Sequence, residues 1–375
     1  MSVRKQPWLG ITATALVIVL ALLFIAPMSW ATFGGWVSFA MMCAIPFAIV
    51  VGAYWHGEHP ASIARLKQPV RGLAYLALTA AVAAVVALVL WTTVGGSVGP
   101  PLPMLAQATI LSVVVSFWLT IMWGGWPFSL IRNELASGVA LLVGGYVVAA
   151  VLFEVFFDYG WLEGAPVYIA ALDPAGLFNA WDATVFAVTA LAVMFLVLHL
   201  DLWPLTRSST VMRQPVLGLV WTALVVVIGL VAYLLGTRTF GMTPPDFLVT
   251  VPIPFIFGSV VLLNMLQDSL FAGRSQPVKG VLSAVSAMVV GTVLALLFRA
   301  VMPLVTGSLP SGPATFDAEL WLANALLAVT FPFLAFYGDY FQLWPLAGPP
   351  APEAVADDGT DSGSDSQGHL AGASQ

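Results

Sequence analysis

The stretch QPVLGLVWTALVVVIGLVAYL, residues 214–234, runs through 21 residues without a charged side chain. About 20 such residues cross the hydrocarbon of a bilayer as a helix. Its opening is as informative as its body. Proline is tolerated in the first helical turn, where its missing N–H has no partner to lose. Gly218, three residues on, leaves room for a neighbouring backbone.

The same opening recurs as Gln6-Pro7 with Gly10, Gln68-Pro69 with Gly72, and Gln276-Pro277 with Gly280. A degenerate copy reads Glu134-Leu135 with Gly138, just after Arg132. From Pro7 the steps to Pro69, Leu135, Pro215 and Pro277 are 62, 66, 80 and 62 residues. Punctuation recurring by chance does not keep such spacing, and internal repeats organise a fold when they are present. Each step holds two apolar runs, so every copy starts on the same side of the membrane. The ten runs are roughly 8–28, 34–55, 72–92, 104–124, 138–157, 181–203, 218–237, 248–270, 280–300 and 319–343. They are continuous rather than alternating, which excludes strands. Trp126-Pro127, Trp203-Pro204 and Trp344-Pro345 close the fourth, sixth and tenth runs, with His59-Pro60 and Leu270-Phe271 at the matching places. Tryptophan suits the membrane interface and proline stops a helix. Counted back from these stops, Gly57, Gly124, Asp201 and Asp268 share one register.

Composition agrees. Of 375 residues, 60% are hydrophobic and 8% charged, a surface that a soluble monomer of this size cannot hide. The expectation is an all-α polytopic bundle of about ten transmembrane helices, built from five two-helix hairpins in one orientation. The transmembrane domain spans residues 1–346, with repeats near 4–64, 65–130, 131–211, 212–273 and 274–346. Residues 347–375, rich in Pro, Gly, Ser and Asp, read as a disordered tail. The segment before Ala31 has the charge and length of a signal peptide, but it carries the first Gln-Pro copy and reads as a retained helix.

Ten of the twelve Lys and Arg residues fall on the Gln-Pro side, and only Arg238 and Arg299 on the other. That bias predicts a cytoplasmic Gln-Pro face with both termini inside, in the cell membrane. The opposite loops are longer and acidic, and Pro166–Leu172 reads as a short interfacial helix. The net charge of −6 resides largely in the tail, and nucleic-acid binding is excluded.

Ionisable groups in a bilayer are costly and mark function by default. No run has one at its midpoint. Glu154 lies near the outer end of the fifth run, with Arg299 at the corresponding end of the ninth. The denser group is on the Gln-Pro side: His56, Glu58 and His59, then His199 and Asp201, Asp268, and Asp339. Two functional readings are open. His56, His59 and His199 are metal-ligand types. Alternatively Glu58, His199, Asp201, Asp268, Asp339 and Glu154 mark a solute path, its gate or a proton relay. The plainer reading is polar residues solvating helix ends. Cys43, the single cysteine, reads as a buried small hydrophobe and excludes an internal disulfide. Pro46, Pro252, Pro254 and Pro332 fall in second helices, as in transporters with kinked, cavity-lining helices.

Walker, H-E-x-x-H, G-x-S-x-G and aspartate-rich diphosphate motifs are absent, as are paired histidines within helices. The sequence names no cofactor and favours no enzymatic activity. It fits a permease or channel-like carrier for a small, neutral or lipophilic solute. A non-catalytic integral subunit that assembles a protein partner, and a membrane metalloprotein, are the alternatives.

Overall fold

The structure is a computed structural model that describes residues 5–313 and 315–347. Residues 348–375 of the expected tail lie outside the described residues. Among the described residues ten helices are long and apolar enough to cross a membrane. They are α1 (Trp8–Ile25), α2 (Ala31–Tyr54), α3 (Val70–Thr92), α4 (Pro103–Met122), α5 (Glu134–Phe156), α6 (Ala180–His199), α7 (Val216–Thr239), α8 (Pro244–Met265), α9 (Val278–Val305) and α10 (Asp317–Tyr340). The chain is an integral multi-pass membrane protein.

Burial divides the helices into two sets. The odd-numbered spans are 17–39% buried within the protein, and the even-numbered spans 56–72%. Odd helices present Val and Leu outward, such as Val85, Val143, Val227 and Val285. Lipid is as good a solvent for them as the protein core, so they need no cover. The even helices form an inner ring in which α2 meets α4, α4 meets α6, α6 meets α8, α8 meets α10, and α10 returns to α2. Each odd helix lies outside, against two inner ones: α3 against α2 and α10, α5 against α4 and α2, α7 against α6 and α4, α9 against α8 and α6, and α1 against α10 and α8.

The Gln-Pro openings make these junctions. Each glutamine accepts on Oε1 from the N–H of the glycine four residues on, with N···O of 3.0–3.3 Å at Gly10, Gly72, Gly218 and Gly280. That satisfies one of the orphan donors at the helix start. Its Nε2 donates to the last carbonyls of an inner helix. Gln6 reaches Met265 O at 3.0 Å, Gln68 reaches Tyr340 O at 2.7 Å, Gln214 reaches Met122 O at 3.0 Å, and Gln276 reaches His199 O at 3.1 Å. At the degenerate copy the polarity reverses, and Trp55 Nε1 donates to Glu134 O at 2.9 Å. In all five places the glycine lies on the partner helix end. A methyl group at Gly10, Gly72, Gly138, Gly218 or Gly280 would come within 2.3–2.7 Å of Met265, Phe341, Trp55, Trp123 or His199. Helices α8 and α9 approach most closely, with a methyl at Gly291 falling 1.7 Å from Pro254 O.

The inner helices also end alike. Each passes through two consecutive left-handed residues: His56-Gly57, Gly124-Gly125, Asp201-Leu202, Gln267-Asp268 and Gln342-Leu343. The register counted from the prolines therefore shifts by one residue in two places, with His56 and Gln267, not Gly57 and Asp268, equivalent to Gly124 and Asp201. Glu58 adds a residue before Pro60, and no proline follows Leu270 to fix the count.

The loop between α5 and α6 differs from expectation. In place of a helix over 166–172 it holds single 3-10 turns at Gly160–Leu162 and Ala170–Leu172. Asp173 organises it instead, accepting from Tyr159 N at 3.1 Å, Ala175 N at 2.9 Å and the Tyr168 hydroxyl at 3.1 Å. A two-residue parallel bridge, Phe157–Asp158 with Phe178–Asn179, closes the loop base. Tyr159 is buried there, and that burial pushes its hydroxyl above the ordinary phenol range.

Candidate functional site

The inner ring encloses a cavity of about 850 Å³. Its wall starts on the face opposite the Gln-Pro openings, at Trp30, Pro101, Asn179, Thr243 and Thr315. It ends at Ile45, Phe117, Leu191, Ile256 and Phe331, past the midpoint of each inner helix. All five inner helices contribute, and Trp161, Leu162 and Val167 add a wall from the α5–α6 loop.

Irregular backbone shapes it. In α2 the segment Ala31–Val37 is π-helical, and in α10 so is Asn324–Thr330. Gly34, Gly35, Asn324 and Leu327 of those segments line the cavity. π-Turns often accompany functional sites because the extra residue re-aims side chains. Helix α8 breaks at Val251 (φ −117°, ψ −73°), just before Pro252 and Pro254. The prolines cluster at the cavity floor: Pro46 follows Ile45, Pro254 lies two residues before Ile256, and Pro332 follows Phe331. Each removes a backbone donor and loosens the helix at that level.

Below the floor the ring is filled by apolar side chains. Phe117 packs on Phe195 with ring centroids 5.7 Å apart and on Phe331 at 6.0 Å. Ile49, Met194, Val260 and Leu334 continue the same buried apolar cluster toward the Gln-Pro face. The cavity is thus closed at one end by three aromatic rings from α4, α6 and α10.

The cavity wall is mostly apolar, with few polar side chains. Gln107 is 5% exposed, and its Oε1 has no hydrogen-bond partner. Asp182 and Asp317 sit in the first turns of α6 and α10, where a carboxylate complements the helix dipole. Asp182 Oδ1 accepts from the Tyr233 hydroxyl at 2.6 Å. Among the described residues no Lys, Arg or His lines the cavity. Gln107 and Asp182 were not singled out from sequence. Gln107 was detectable as the lone amide between Pro103 and Phe117. Asp182, following Asn179, reads as helix capping and gives no separate signal.

Glu58, His199, Asp201, Asp268, Asp339 and Glu154 all lie off the cavity wall. They occupy helix ends and helix–helix seams rather than the axis. His199 is buried between α6, α8 and α9, with Nδ1 2.8 Å from Ser283 Oγ and Nε2 3.0 Å from Ser259 Oγ. Ser259 Oγ already donates to Phe255 O at 2.7 Å, so it accepts from His199 Nε2–H, leaving Nδ1 to accept from Ser283. Both ring nitrogens are engaged. Lys279 gathers two of the acids, pairing with Asp268 and, at 3.4 Å, with Asp201, which also accepts from Gln276 Nε2 at 2.7 Å. Asp339 lies against Gly52 and beside the Asn264 amide. Glu58 is exposed. Glu154 and Arg299 are exposed on different outer helices, and among the described residues no ion pair joins them.

The three histidines proposed as metal ligands are not brought together. His59 Nε2 lies 2.7 Å from Glu134 Oε2 at the surface, His56 is exposed, and His199 is held by two serines. Among the described residues no three His, Cys, Asp or Glu side chains form a metal-sized group. No family model, no curated protein and no solved structure matches the chain.

Proposed function

We propose that the chain is a permease or channel-like carrier for a small, neutral or lipophilic solute, which travels along the axis of the inner ring. The observation that carries this reading is the cavity, which reaches past the helix midpoints and stops at the Phe117, Phe195 and Phe331 rings. An apolar wall with few polar groups is typical of small-molecule sites. On this reading the five hairpins are tandem repeats arranged around an axis along the membrane normal. The recurring Gln–Gly junctions and left-handed helix ends support that arrangement. The Lys- and Arg-rich Gln-Pro face is cytoplasmic, in the plasma membrane, so the cavity opens outward and the aromatic floor is the inner gate. The acids and His199 at the inner helix ends act through the seams that surround the gate.

Purified full-length chain in proteoliposomes tests this. The reading expects saturable uptake of at least one member of a panel of small neutral and lipophilic solutes. Uptake no faster than in protein-free liposomes across the panel would overturn it.

A further inference from the structure

We infer that the cavity selects an apolar, ring-sized solute bearing an N–H or O–H donor and no negative charge, and that Gln107 reads the donor. The inference deepens the carrier reading but is tested by binding, so absence of transport and absence of binding are separate results.

Three observations converge. First, Gln107 is 95% buried on the cavity wall with an unpartnered amide oxygen. A buried acceptor left unmade is costly, and the final torsion of a glutamine is broad and roughly two-fold. A half-turn about it presents the oxygen to a donor in the cavity. Ser112 and Ser116, further along α4, turn their hydroxyls back onto backbone carbonyls at 2.7 Å and offer the amide no competing partner. Second, the wall has flat aromatic surfaces at both depths: Trp30, Trp161 and Trp181 toward the opening, Phe117 and Phe331 at the floor. Such faces accept rings, and they accept cations but not anions. Third, among the described residues the ionisable lining groups are Asp182 and Asp317, both in helix first turns near the opening. Two carboxylates at the mouth disfavour entry of an anion.

The test uses the full chain in lipid nanodiscs and calorimetric titration, with protein-free discs subtracted. Four probes share one phenyl body: 2-phenylethanol, 2-phenylethylamine, ethylbenzene and phenylacetate. The alcohol and the amine are expected to bind roughly fivefold or more tighter than ethylbenzene, and phenylacetate weakest. Gln107→Leu is expected to erase the preference of alcohol over ethylbenzene while ethylbenzene binding persists, which shows that the cavity remains intact. Asp182→Asn with Asp317→Asn is expected to weaken the amine and spare the alcohol, which separates a cationic from a neutral donor. Equal binding of alcohol and ethylbenzene, survival of the preference in Gln107→Leu, or phenylacetate binding as tightly as the alcohol would each overturn the inference.

Discussion

At the scale of single residues, glutamine and glycine hold this molecule together. Helices in lipid gain little from apolar burial, so close packing and hydrogen bonds carry their association. Gln276 shows how. One amide caps its own helix through Gly280 N and ties it to α6 through His199 O. Gln276→Leu loses both of these and the bond to Asp201, and leaves Gly280 N and His199 O unpaired, so it should lower stability by about 1–3 kcal/mol. Gln276→Glu keeps the capping acceptor but sets a second carboxylate against Asp201 and the His199 carbonyl, so it should cost more than Gln276→Leu. Thermal unfolding of the detergent-purified variants checks the order. Gly291 is the tighter test of packing, because any side chain there meets the Pro254 carbonyl. Gly291→Val should destabilise by about 1–3 kcal/mol or more by forcing α8 and α9 apart. His199 belongs to the same class. His199→Ala should cost about 1–3 kcal/mol by leaving the buried Ser283 hydroxyl without its acceptor, while Ser259 keeps its bond to Phe255 O, and metal content, measured by elemental analysis, should not differ between His199→Ala and the native chain.

At the scale of elements, the inner helices combine two conflicting demands. They pack tightly below the floor and open above it. The π-helical segments of α2 and α10 and the proline breaks reconcile the two, because each lets a helix change direction at a defined level. The floor rings close the cavity at its inner end, so Phe117→Ala or Phe331→Ala should raise the leak of small neutral solutes from proteoliposomes. Unchanged flux in both variants would place the barrier elsewhere. The sequence made much of this element logic legible. Continuous apolar runs marked all ten helices, and Pro252 and Pro254 marked the level at which α8 breaks. It did not locate the site, for a physical reason. Charges in a membrane chain stand out by rarity, so His199, Asp201 and Asp268 drew attention, and they lie in hydrogen bonds and ion pairs at helix ends, off the cavity wall. The cavity wall is mostly aliphatic, aromatic and proline residues, which in sequence look like any residue of an apolar run. A few polar side chains, Gln107 and Asn324 among them, break that pattern.

At the scale of the whole molecule, closure is the organising fact. Each odd helix bridges an inner helix of its neighbours, and the last contact returns α1 to α8 and α10. A closed ring has no free edge, and its axis is the natural place for a path. The recurring Gln-Pro-x-x-Gly openings were readable in the sequence, but the partner of each glutamine was not, because pairing Gln6 with Met265 spans most of the chain. The measurement that tests the axial path most directly is thiol accessibility. Cys43 is buried and is the only cysteine, so Cys43→Ala gives a cysteine-free chain. Into it are placed Val113→Cys on the cavity wall and Val143→Cys on the outer face of α5. A membrane-impermeant thiol reagent in the aqueous phase on the side opposite the Gln-Pro face should modify position 113 and block uptake, and should leave 143 unmodified. Reaction at 143 but not at 113, or modification of 113 with uptake intact, would contradict an axial path.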